Sequence, residues 1–431
     1  MDDSMVKKLE VWRKFASGST IKVGELAQNK QGVYFQYDTD YLNQHENLSP
    51  FGLNFDASLQ LAPKQPHDGL HGAFSDSLPD GWGLLLMDRV FRQSGILPAQ
   101  ITAMDRLAFV GERAMGALFY QPVSDLQQSD QTDSISLAEI GLQAQAIFDG
   151  QTTDVLQVLA NVGSSGGARP KAQLYLKEND AKNCSAMPGK GRDAYLVKFT
   201  SSQLSLKHEE SLCEAAYLTM ANAAGIDVPT WMLLDAPKAS GAKKWLALKR
   251  FDTTKNAEGK EGRLHLHSAS GLLDADYTMP SLDYDDLIKA ASMLCKSPMA
   301  GQAMFRRMVF NLFALNQDDH SKNWAFLQQD NGQWQLAPFY DVTFSPSPYH
   351  EHATAFAGFG KNPSLSVMQK LANQANFLNW KQAQQVIEEV VESINQFVQL
   401  ATELEVEQKT IKIIERQLNS VYLDNKCLLN T

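Results

Sequence analysis

The sequence has few cysteines and no apolar run long enough to cross a bilayer. Its four cysteines are widely scattered, with neither metal-type spacing nor a disulfide framework. They are Cys184, Cys213, Cys295 and Cys427. The first residues also lack the apolar core of a signal peptide. These absences predict a reduced, cytoplasmic protein that does not enter a membrane.

A surplus of basic residues is also missing. Lysine and arginine number 39 against 49 aspartates and glutamates, which gives a formal net charge of −10. Such a chain does not attract the phosphates of DNA, so we expect any DNA contact to come through a partner. With 431 residues and 44% hydrophobic content, the chain is an ordinary globular sequence long enough for more than one domain.

What the sequence does contain is a cluster of oxygen-bearing side chains within residues 310–345. An apolar helix-like stretch leads into Asp318, Asn323 follows, and a polar turn and a short strand lead to Asp341. In phosphoryl transfer one carboxylate accepts the proton of the attacking hydroxyl, while an amide and a second carboxylate hold Mg²⁺. The order Asp-x4-Asn and then Asp is that of protein kinases. A polar loop with a capping Asp is the alternative for Asp-x4-Asn alone, and the later Asp341 makes that alternative less attractive.

Upstream segments could supply the phosphate contacts. Residues 163–171 are glycine-rich, so backbone N–H groups and Lys171 could face a phosphate, although the Walker A pattern is absent and a flexible connector is the alternative. Lys198 lies near the end of an apolar strand, where a lysine is rare unless it meets an anion. A solvent-facing edge lysine is the alternative there. Residues 248–252 are predicted to join two lobes, where adenine binds in kinases.

Residue patterns predict the elements that carry these segments. Alternation predicts antiparallel strands over 9–37, whereas 38–73 is predicted to be irregular. The Gln-, Ser- and Asp-rich stretch 121–135 is predicted to be a linker. Helices are predicted over 101–109, 136–148, 153–162, 209–224, 284–293, 301–315, 363–372 and 381–418. Further strands are predicted over 173–176, 194–199, 231–234 and 245–248, with a polar loop at 177–191.

Another helix is predicted to start near Ser77, with Asp76 or Ser77 as the cap and Pro79 in the first turn. Its inward-facing residues are predicted to be Leu84, Leu85, Val90 and Phe91. Asp76 and Asp80 could form a catalytic pair, but carboxylates at helix starts are commoner. We therefore interpret both as helix-start residues.

Together these segments resemble the HipA family of serine/threonine kinases, the toxins of type II toxin–antitoxin modules. The matching motifs are Ser77-Leu78-Pro79-Asp80-Gly81-Trp82-Gly83, Ser164-x-Gly-Gly-Ala-x-Pro-Lys171, Lys249-Arg250-Phe251-Asp252, Asp318-x-His-x-Lys-Asn323 and Pro338-Phe-Tyr-Asp341. The resemblance implies an α+β, two-lobed protein-kinase-like fold. Its expected parts are an N-terminal β-rich subdomain over 1–125, a small lobe over 126–252 and an all-α C-terminal lobe over 253–431.

The resemblance also implies the site and its cofactors, ATP and Mg²⁺. Asp318 would be the catalytic base, with Asn323 and Asp341 as the Mg²⁺ ligands. The expected nucleotide-binding residues are Ser165, Gly166, Gly167, Ala168, Arg169, Pro170, Lys171, Lys198, Lys249, Arg250, Phe251, His320, Lys322 and Tyr340. Ser164 matches the autophosphorylated serine of the family, and a phosphate there should repel ATP and expel the loop, which would switch the kinase off.

Two positions depart from the family pattern. Lys249 stands where better-known members have Glu, which changes the local charge but leaves backbone contacts to adenine in place. Asp319 stands where some members have Gly, so a second carboxylate adjoins Asp318. That carboxylate could raise the apparent pKa of the pair or add a metal contact, and the sequence does not decide between the two.

Partners follow from the same resemblance. Family members pair with a HipB-like helix-turn-helix antitoxin, and the complex represses its own operator DNA. The best-known member phosphorylates glutamyl-tRNA synthetase to halt translation and induce persistence, and others use other aminoacyl-tRNA synthetases. Two alternatives remain. A small-molecule phosphotransferase would use the same residues on a different acceptor, and a pseudokinase co-repressor would not need Asp318, Asn323, Asp341 and Lys198 intact.

Overall fold

A computed structural model describes residues 6–126, 135–151, 159, 167–177 and 180–429 of the chain. Antiparallel sheets dominate its first half and helices its second half, which confirms the predicted α+β class. None of the helices in these ranges is long and apolar enough to span a membrane.

The N-terminal region is built on a five-stranded antiparallel sheet, which confirms the strands predicted over 9–37. In spatial order its strands are Gln60–Leu61, Val33–Tyr37, Thr20–Gln28, Lys8–Lys14 and Leu118–Gln121. Alternate residues of the strand Lys8–Lys14 are buried, as expected for a sheet with one covered face. The stretch 38–73 is less irregular than predicted, because Asp38 caps a short helix, Thr39–Gln44.

The predicted helix after Ser77 begins later than expected, as Gly81–Gln93. Its buried face is also different, since Leu85 is 41% exposed and only Phe91 of the four predicted residues is buried. Trp82 and Leu86 pack into the core of the small lobe and thereby set the rotation of the helix. The following helix, Ala103–Val110, agrees with its prediction and is capped by Thr102.

The small lobe contains a six-stranded antiparallel sheet. Its spatial order is Trp231–Asp235, Lys244–Lys249, Asp193–Lys198, Lys171–Lys177, Asp180–Ser185 and Ile135–Ser136. The helices Leu137–Phe148 and Glu210–Ala223 confirm two predictions. The predicted polar loop at 177–191 instead holds the strand Asp180–Ser185, because hydrogen bonds along one edge of the sheet make even a polar segment extended. The predicted helix at 153–162, apart from residue 159, and most of the predicted linker lie outside the described residues.

Helices dominate the C-terminal lobe, but the expectation of an all-α lobe is wrong, because this lobe also holds a three-stranded sheet of His265–Ser268, Ala325–Gln328 and Trp334–Leu336. Its helices are Tyr284–Leu294, Pro298–Ala314, Leu365–Gln374, Trp380–Ile394, Phe397–Glu403 and Gln408–Asp424. The long helix predicted over 381–418 is therefore three helices. The second break contains Glu405 at a positive φ of 61°, a conformation that ends a helix.

Shorter elements connect these layers. They are the helices Gly72–Ser75 and Ala269–Leu272, the 3-10 turns Pro98–Gln100, Lys207–Glu209, Lys238–Ser240, Ser321–Asn323 and Lys426–Leu428, and the two-stranded pairs Thr253–Lys255 with Glu261–Arg263 and Leu282–Asp283 with Thr354–Ala355.

The largest hydrophobic core is shared by the small lobe and the C-terminal lobe. The helix Glu210–Ala223 contributes Leu212 and Tyr217 to it, and the helix Pro298–Ala314 contributes Met308 and Phe310. The helix Glu210–Ala223 of the small lobe is packed into this core. The polar residues of that helix are therefore held at a fixed distance from the loop that follows Ala314. The domain boundaries proposed from the sequence stay predictions.

Candidate active site

The loop after helix Pro298–Ala314 presents Asp318 to solvent. The helix ends at Leu315, which has a left-handed φ of 53°. The side chain of Asp318 is 63% exposed, and its backbone carbonyl accepts a hydrogen bond from Asn323 Nδ2 at 2.6 Å. This bond closes the loop and places a carboxylate and an amide on one short turn. A turn of this kind suits proton abstraction next to a metal.

Asp341 meets a lysine of the small lobe that is also paired with a glutamate. Its carboxylate pairs with the ammonium of Lys198, and the same ammonium lies 2.6 Å from Glu214 Oε1. Asp341 has a left-handed φ of 53°, and it does not follow the strand Trp334–Leu336 directly as predicted. The set Glu214–Lys198–Asp341, of which Glu214 and Lys198 are buried and Asp341 is partly exposed, thus joins the two lobes at one point.

Burial and charge shift the pKa values of this set in different directions. Burial alone would raise the pKa of Asp341, but the ammonium groups of Lys198 and Lys171 overcome it and hold that pKa well below its usual range. Burial raises the pKa of Glu214, and the cation of Lys198 only partly offsets this. Asp341 therefore stays ionised over the physiological range, as a metal ligand must.

The described end of the phosphate loop turns at Gly167, which has a φ of 101°. This left-handed conformation favours glycine, and a Cβ at this position would also displace the end of the Lys171 side chain, whose Nζ lies 2.5 Å away. Arg169 lies 3.2 Å from Glu210 across the same turn. Lys171 is buried, and burial lowers the pKa of its ammonium. The predicted residues Ser164, Ser165 and Gly166 lie outside the described residues.

Asp80 is not the simple helix-start residue that the sequence predicted. It occupies the position before Gly81, but its side chain makes no capping hydrogen bond. Its carboxylate instead accepts from the Gly167 N–H and lies 3.1 Å from Lys322 Nζ. Asp76 closes the short helix Gly72–Ser75, and its buried carboxylate bonds to His267 and Ser268. The two carboxylates serve different partners, so they do not act as a catalytic pair.

A cavity between the lobes, of about 110 Å³, collects the remaining predicted nucleotide residues. Its lining includes Gly167, Lys249, Arg250, Phe251, His320, Lys322, Asn323, Tyr340 and Asp341. Phe251 and Tyr340 stack with ring centroids 5.6 Å apart, and the Tyr340 hydroxyl donates to the Lys322 carbonyl at 2.7 Å. The stacked rings form an apolar floor of the kind on which a nucleobase packs.

The charged side chains at the connection between the lobes have partners within the protein. Lys249 Nζ lies 2.8 Å from Asp193, so the cation that replaces the usual Glu is paired locally. The buried guanidinium of Arg250 bonds to Asp252 at 2.6 Å and to Gln173 at 2.7 Å. Contacts from this segment to a base would therefore come from its backbone, as the sequence predicted.

A second, larger cavity of about 1080 Å³ lies on the other side of the catalytic loop. Asp318 and Gln317 line it, together with Lys207, Ser345 and Pro348. Asn323 and His320 line the smaller cavity instead. The loop 317–323 thus lies between the smaller cavity and the open cleft, and the exposed carboxylate of Asp318 lines the cleft.

Asp319 makes structural contacts. Its side chain is fully buried. Its carboxylate bonds to the Tyr284 hydroxyl, to His352 Nδ1 at 2.9 Å and to the backbone N–H groups of residues 353 and 354. The extra carboxylate is therefore a structural anchor for the segment that follows Asp341.

The donor set fits a magnesium nucleotide. Asp341 supplies a carboxylate and Asn323 an amide oxygen, and the described ranges hold no group of three or more His, Cys, Asp or Glu side chains arranged to bind a metal ion. Mg²⁺ commonly uses one or two protein oxygens and takes the rest from phosphates and water. Lys171, Lys198 and Lys322 converge on the same side, where their charges match a polyphosphate.

Sequence reasoning missed two residues of this site, Glu214 and Asp80. Glu214 lies on the buried face of the helix Glu210–Ala223, among alanine, leucine and tyrosine. A carboxylate within an apolar stripe is rare unless paired, and that signal could have identified it. Asp80 was considered, but nothing in the sequence indicates that it contacts residues 167 and 322.

Two family models match the chain. The model described as "HipA-like C-terminal domain" matches residues 163–398, and the model described as "HipA N-terminal domain" matches residues 17–121. Both matches include motifs from which the resemblance was drawn, and the first spans more than half of the chain.

Two curated relatives share less than 30% of their residues with this chain over the matched regions. One relative is Y4dM, a protein of Sinorhizobium fredii named as a candidate kinase. The two sequences are 29% identical over 208 residues, and this match covers 45% of this chain and 48% of that protein. The chain is 26% identical over 195 residues to a similarly named protein of Haemophilus influenzae, which covers 44% of this chain and 54% of that protein. The chain thus matches about half the length of these relatives.

A solved structure covers nearly the whole chain. It is the HipA of Shewanella oneidensis MR-1, from a complex with HipB and operator DNA. The TM-score is 0.70 over 97% of this chain and 96% of that one, with 17% sequence identity. At this identity the match shows the fold, and it confirms the HipA-like architecture expected from the motifs.

Proposed function

This chain belongs to the HipA family, and from that premise we propose that it is an ATP- and Mg²⁺-dependent protein serine/threonine kinase. One observation carries the proposal. Lys198 of the small lobe contacts both Glu214 and Asp341, next to the loop that holds Asp318 and Asn323. A lysine–glutamate pair beside a metal-binding aspartate is the arrangement on which protein kinases depend.

Each residue then has a defined task. Lys198 and Lys171 bind the phosphates, while Asp341 and Asn323 hold Mg²⁺, which neutralises charge on the phosphates when bound. Asp318 accepts the proton of the acceptor hydroxyl from the open cleft, where its side chain is exposed. Residues 249–251 and Tyr340 enclose the adenine through backbone groups and stacked rings.

The biological role is proposed on the same basis. The kinase is the toxin of a HipBA-like module, and it pairs with a HipB-like helix-turn-helix antitoxin that supplies the contact to operator DNA. Its acceptor is a protein serine or threonine, with an aminoacyl-tRNA synthetase as the substrate class suggested by the resemblance. Phosphorylation of Ser164, beside the phosphate loop, switches the enzyme off.

The acceptor class can be tested with [γ-³²P]ATP in a cell extract. Purified protein with Mg²⁺ should label a discrete set of protein bands on serine or threonine, and the Asp318→Asn variant should label none. Label confined to the small-molecule fraction would replace this proposal with a small-molecule phosphotransferase. Failure to bind nucleotide would leave only the co-repressor role.

A further inference from the structure

We infer that Asp80 is a positioning residue through which the N-terminal region holds the phosphate loop and Lys322 in place for nucleotide phosphates. The inference rests on the proposed function, because the ligand served is the nucleotide. It assigns the N-terminal region a part in ATP binding, although that region contributes none of the residues predicted for the site.

The side-chain contacts of Asp80 lead out of its own helix. The residue is 4% exposed, and a buried carboxylate is costly unless it is paired. Its position at the start of Gly81–Gln93 would allow it to cap that helix, yet its side chain makes no such bond. Instead it accepts from the Gly167 N–H and pairs with Lys322 at 3.1 Å. Both partners line the cavity between the lobes.

Residues 80–82, here called the clasp, contact the phosphate loop at three further points. The Trp82 N–H donates to the Gly167 carbonyl at 3.1 Å, and Trp82 Nε1 donates to the Lys171 carbonyl at 2.8 Å. Gly81 has a φ of 41°, and a Cβ there would lie 2.8 Å from the Gly167 carbonyl oxygen. The clasp therefore binds both ends of the turn 167–171. Its middle residue, Gly81, has no room for a side chain.

The direction of Lys322 depends on the same carboxylate. Its ammonium lies 4.3 Å from the centroid of the Tyr277 ring and 3.1 Å from Asp80 Oδ2. Without Asp80, a flexible lysine stem would be ordered by the ring alone. The clasp thus contacts the phosphate loop and the ammonium of Lys322, whereas the stacked rings of Phe251 and Tyr340 form the adenine side of the site. A variant of the clasp should therefore weaken the binding of ATP but not of adenosine, whereas a general loss of structure would weaken both.

The test compares Asp80→Asn with Asp88→Asn, which breaks the 2.7 Å ion pair of the same helix with Arg106, away from the loop. With Mg²⁺ present, we expect Asp80→Asn to weaken ATP binding about tenfold, the scale of one charge-assisted hydrogen bond, while adenosine affinity stays unchanged. Hydrogen exchange in a peptide covering 167–171 should become faster without nucleotide. Asp88→Asn should alter neither measurement.

A second variant keeps the inference testable if Asp80→Asn does not fold. Gly81→Ala changes no charge, yet its methyl group meets the Gly167 carbonyl, so it should also weaken ATP more than adenosine. Equal loss of ATP and adenosine, or unchanged ATP affinity with unchanged exchange, would overturn the inference. A wild type that binds no nucleotide would refute the proposed function and the nucleotide role of Asp80 together. In that case faster exchange in Asp80→Asn alone would still support the structural contact.

Discussion

Asp318 and Asp319 are adjacent in sequence, yet their carboxylates have opposite surroundings. Asp318 is exposed to the large cleft, where a proton acceptor must meet its substrate. Asp319 is buried and accepts hydrogen bonds from a tyrosine, a histidine and two backbone N–H groups. The role of each residue therefore follows from its environment rather than from its residue type.

Neutralising each carboxylate should separate chemistry from stability. Asp318→Asn should abolish phosphate transfer and leave the melting temperature within about 1–2 °C of wild type, because surface substitutions change stability little. Asp319→Asn should lower the free energy of unfolding by about 2–4 kcal/mol, because its amide group would face donors that need an acceptor. Thermal melts and phosphate transfer on both variants check this. Equal melting temperatures would contradict the anchor role of Asp319.

At the scale of elements, the segment after Asp341 runs beside the catalytic loop and is hydrogen-bonded to it. Ser345 pairs with Asn316 in a parallel bridge, and its hydroxyl donates to Asn316 Oδ1 at 2.9 Å and accepts from the Asp318 N–H at 3.3 Å. Asp319 fixes the far end of the segment. Hydrogen bonds of Ser345 and Asp319 therefore connect this segment to the catalytic loop.

Removing the hydroxyl of Ser345 tests whether its hydrogen bonds hold the segment against the catalytic loop. Ser345→Ala should lower kcat about tenfold, since two hydrogen bonds that hold the catalytic loop are lost. Ser366→Ala, an exposed serine outside the cleft, is the matched control and should keep its rate. Steady-state kinetics on both variants give the comparison. A normal kcat for Ser345→Ala would show that the segment is not held through this side chain.

Most elements could be predicted because their signals are local. The strands over 9–37, the helices after Thr102 and Ser136 and the helix from Tyr284 follow from alternation and helical periodicity. The misses have tertiary causes. The strand Asp180–Ser185 is polar and is held by its neighbours, and the inward face of Gly81–Gln93 is set by Trp82 in the core of another lobe.

The residues of the site also divide into those indicated by local sequence and those placed by tertiary contacts. The order of Asp318, Asn323 and Asp341 could be predicted from spacing, because the catalytic loop and its strand are contiguous in sequence. Glu214 and Asp80 reach the site from other parts of the chain, through a helix packed in a shared core and through the clasp. Contacts of such long sequence separation leave no spacing signal.

At the scale of the whole molecule, the N-terminal region is docked on the strand His265–Ser268 of the C-terminal lobe. His265 Nε2 bonds to the Leu48 carbonyl at 2.9 Å, and His267 lies between Asp76 and Ser49. Arg13 reaches across to Gln328 at 2.9 Å. Burial, together with the nearby Arg13, holds the pKa of His265 well below its usual range, so His265 is neutral in the folded protein.

Acid should therefore weaken this interface. Below a pH of about 6.5 the unfolded chain protonates His265 while the folded protein does not, so stability should fall as the pH is lowered. Between pH 7.5 and 5 this one group should cost about 2 kcal/mol. His265→Gln keeps a donor for the Leu48 carbonyl and should lose less stability over that range, whereas the exposed His350→Gln should behave like wild type. Chemical denaturation at several pH values measures the slopes, and equal slopes for all three proteins would contradict the assignment.

In the proposed function, the chain transfers phosphate from ATP with Asp318 as the base, and phosphorylation of Ser164 switches the kinase off. The most direct measurement is the intact mass of phosphatase-treated protein after incubation with Mg²⁺ and ATP, beside the Asp318→Asn variant. We expect wild type to gain one phosphate that peptide mapping places at Ser164, and the variant to gain none. No mass gain in the wild type, or an equal gain in the variant, would contradict the claim.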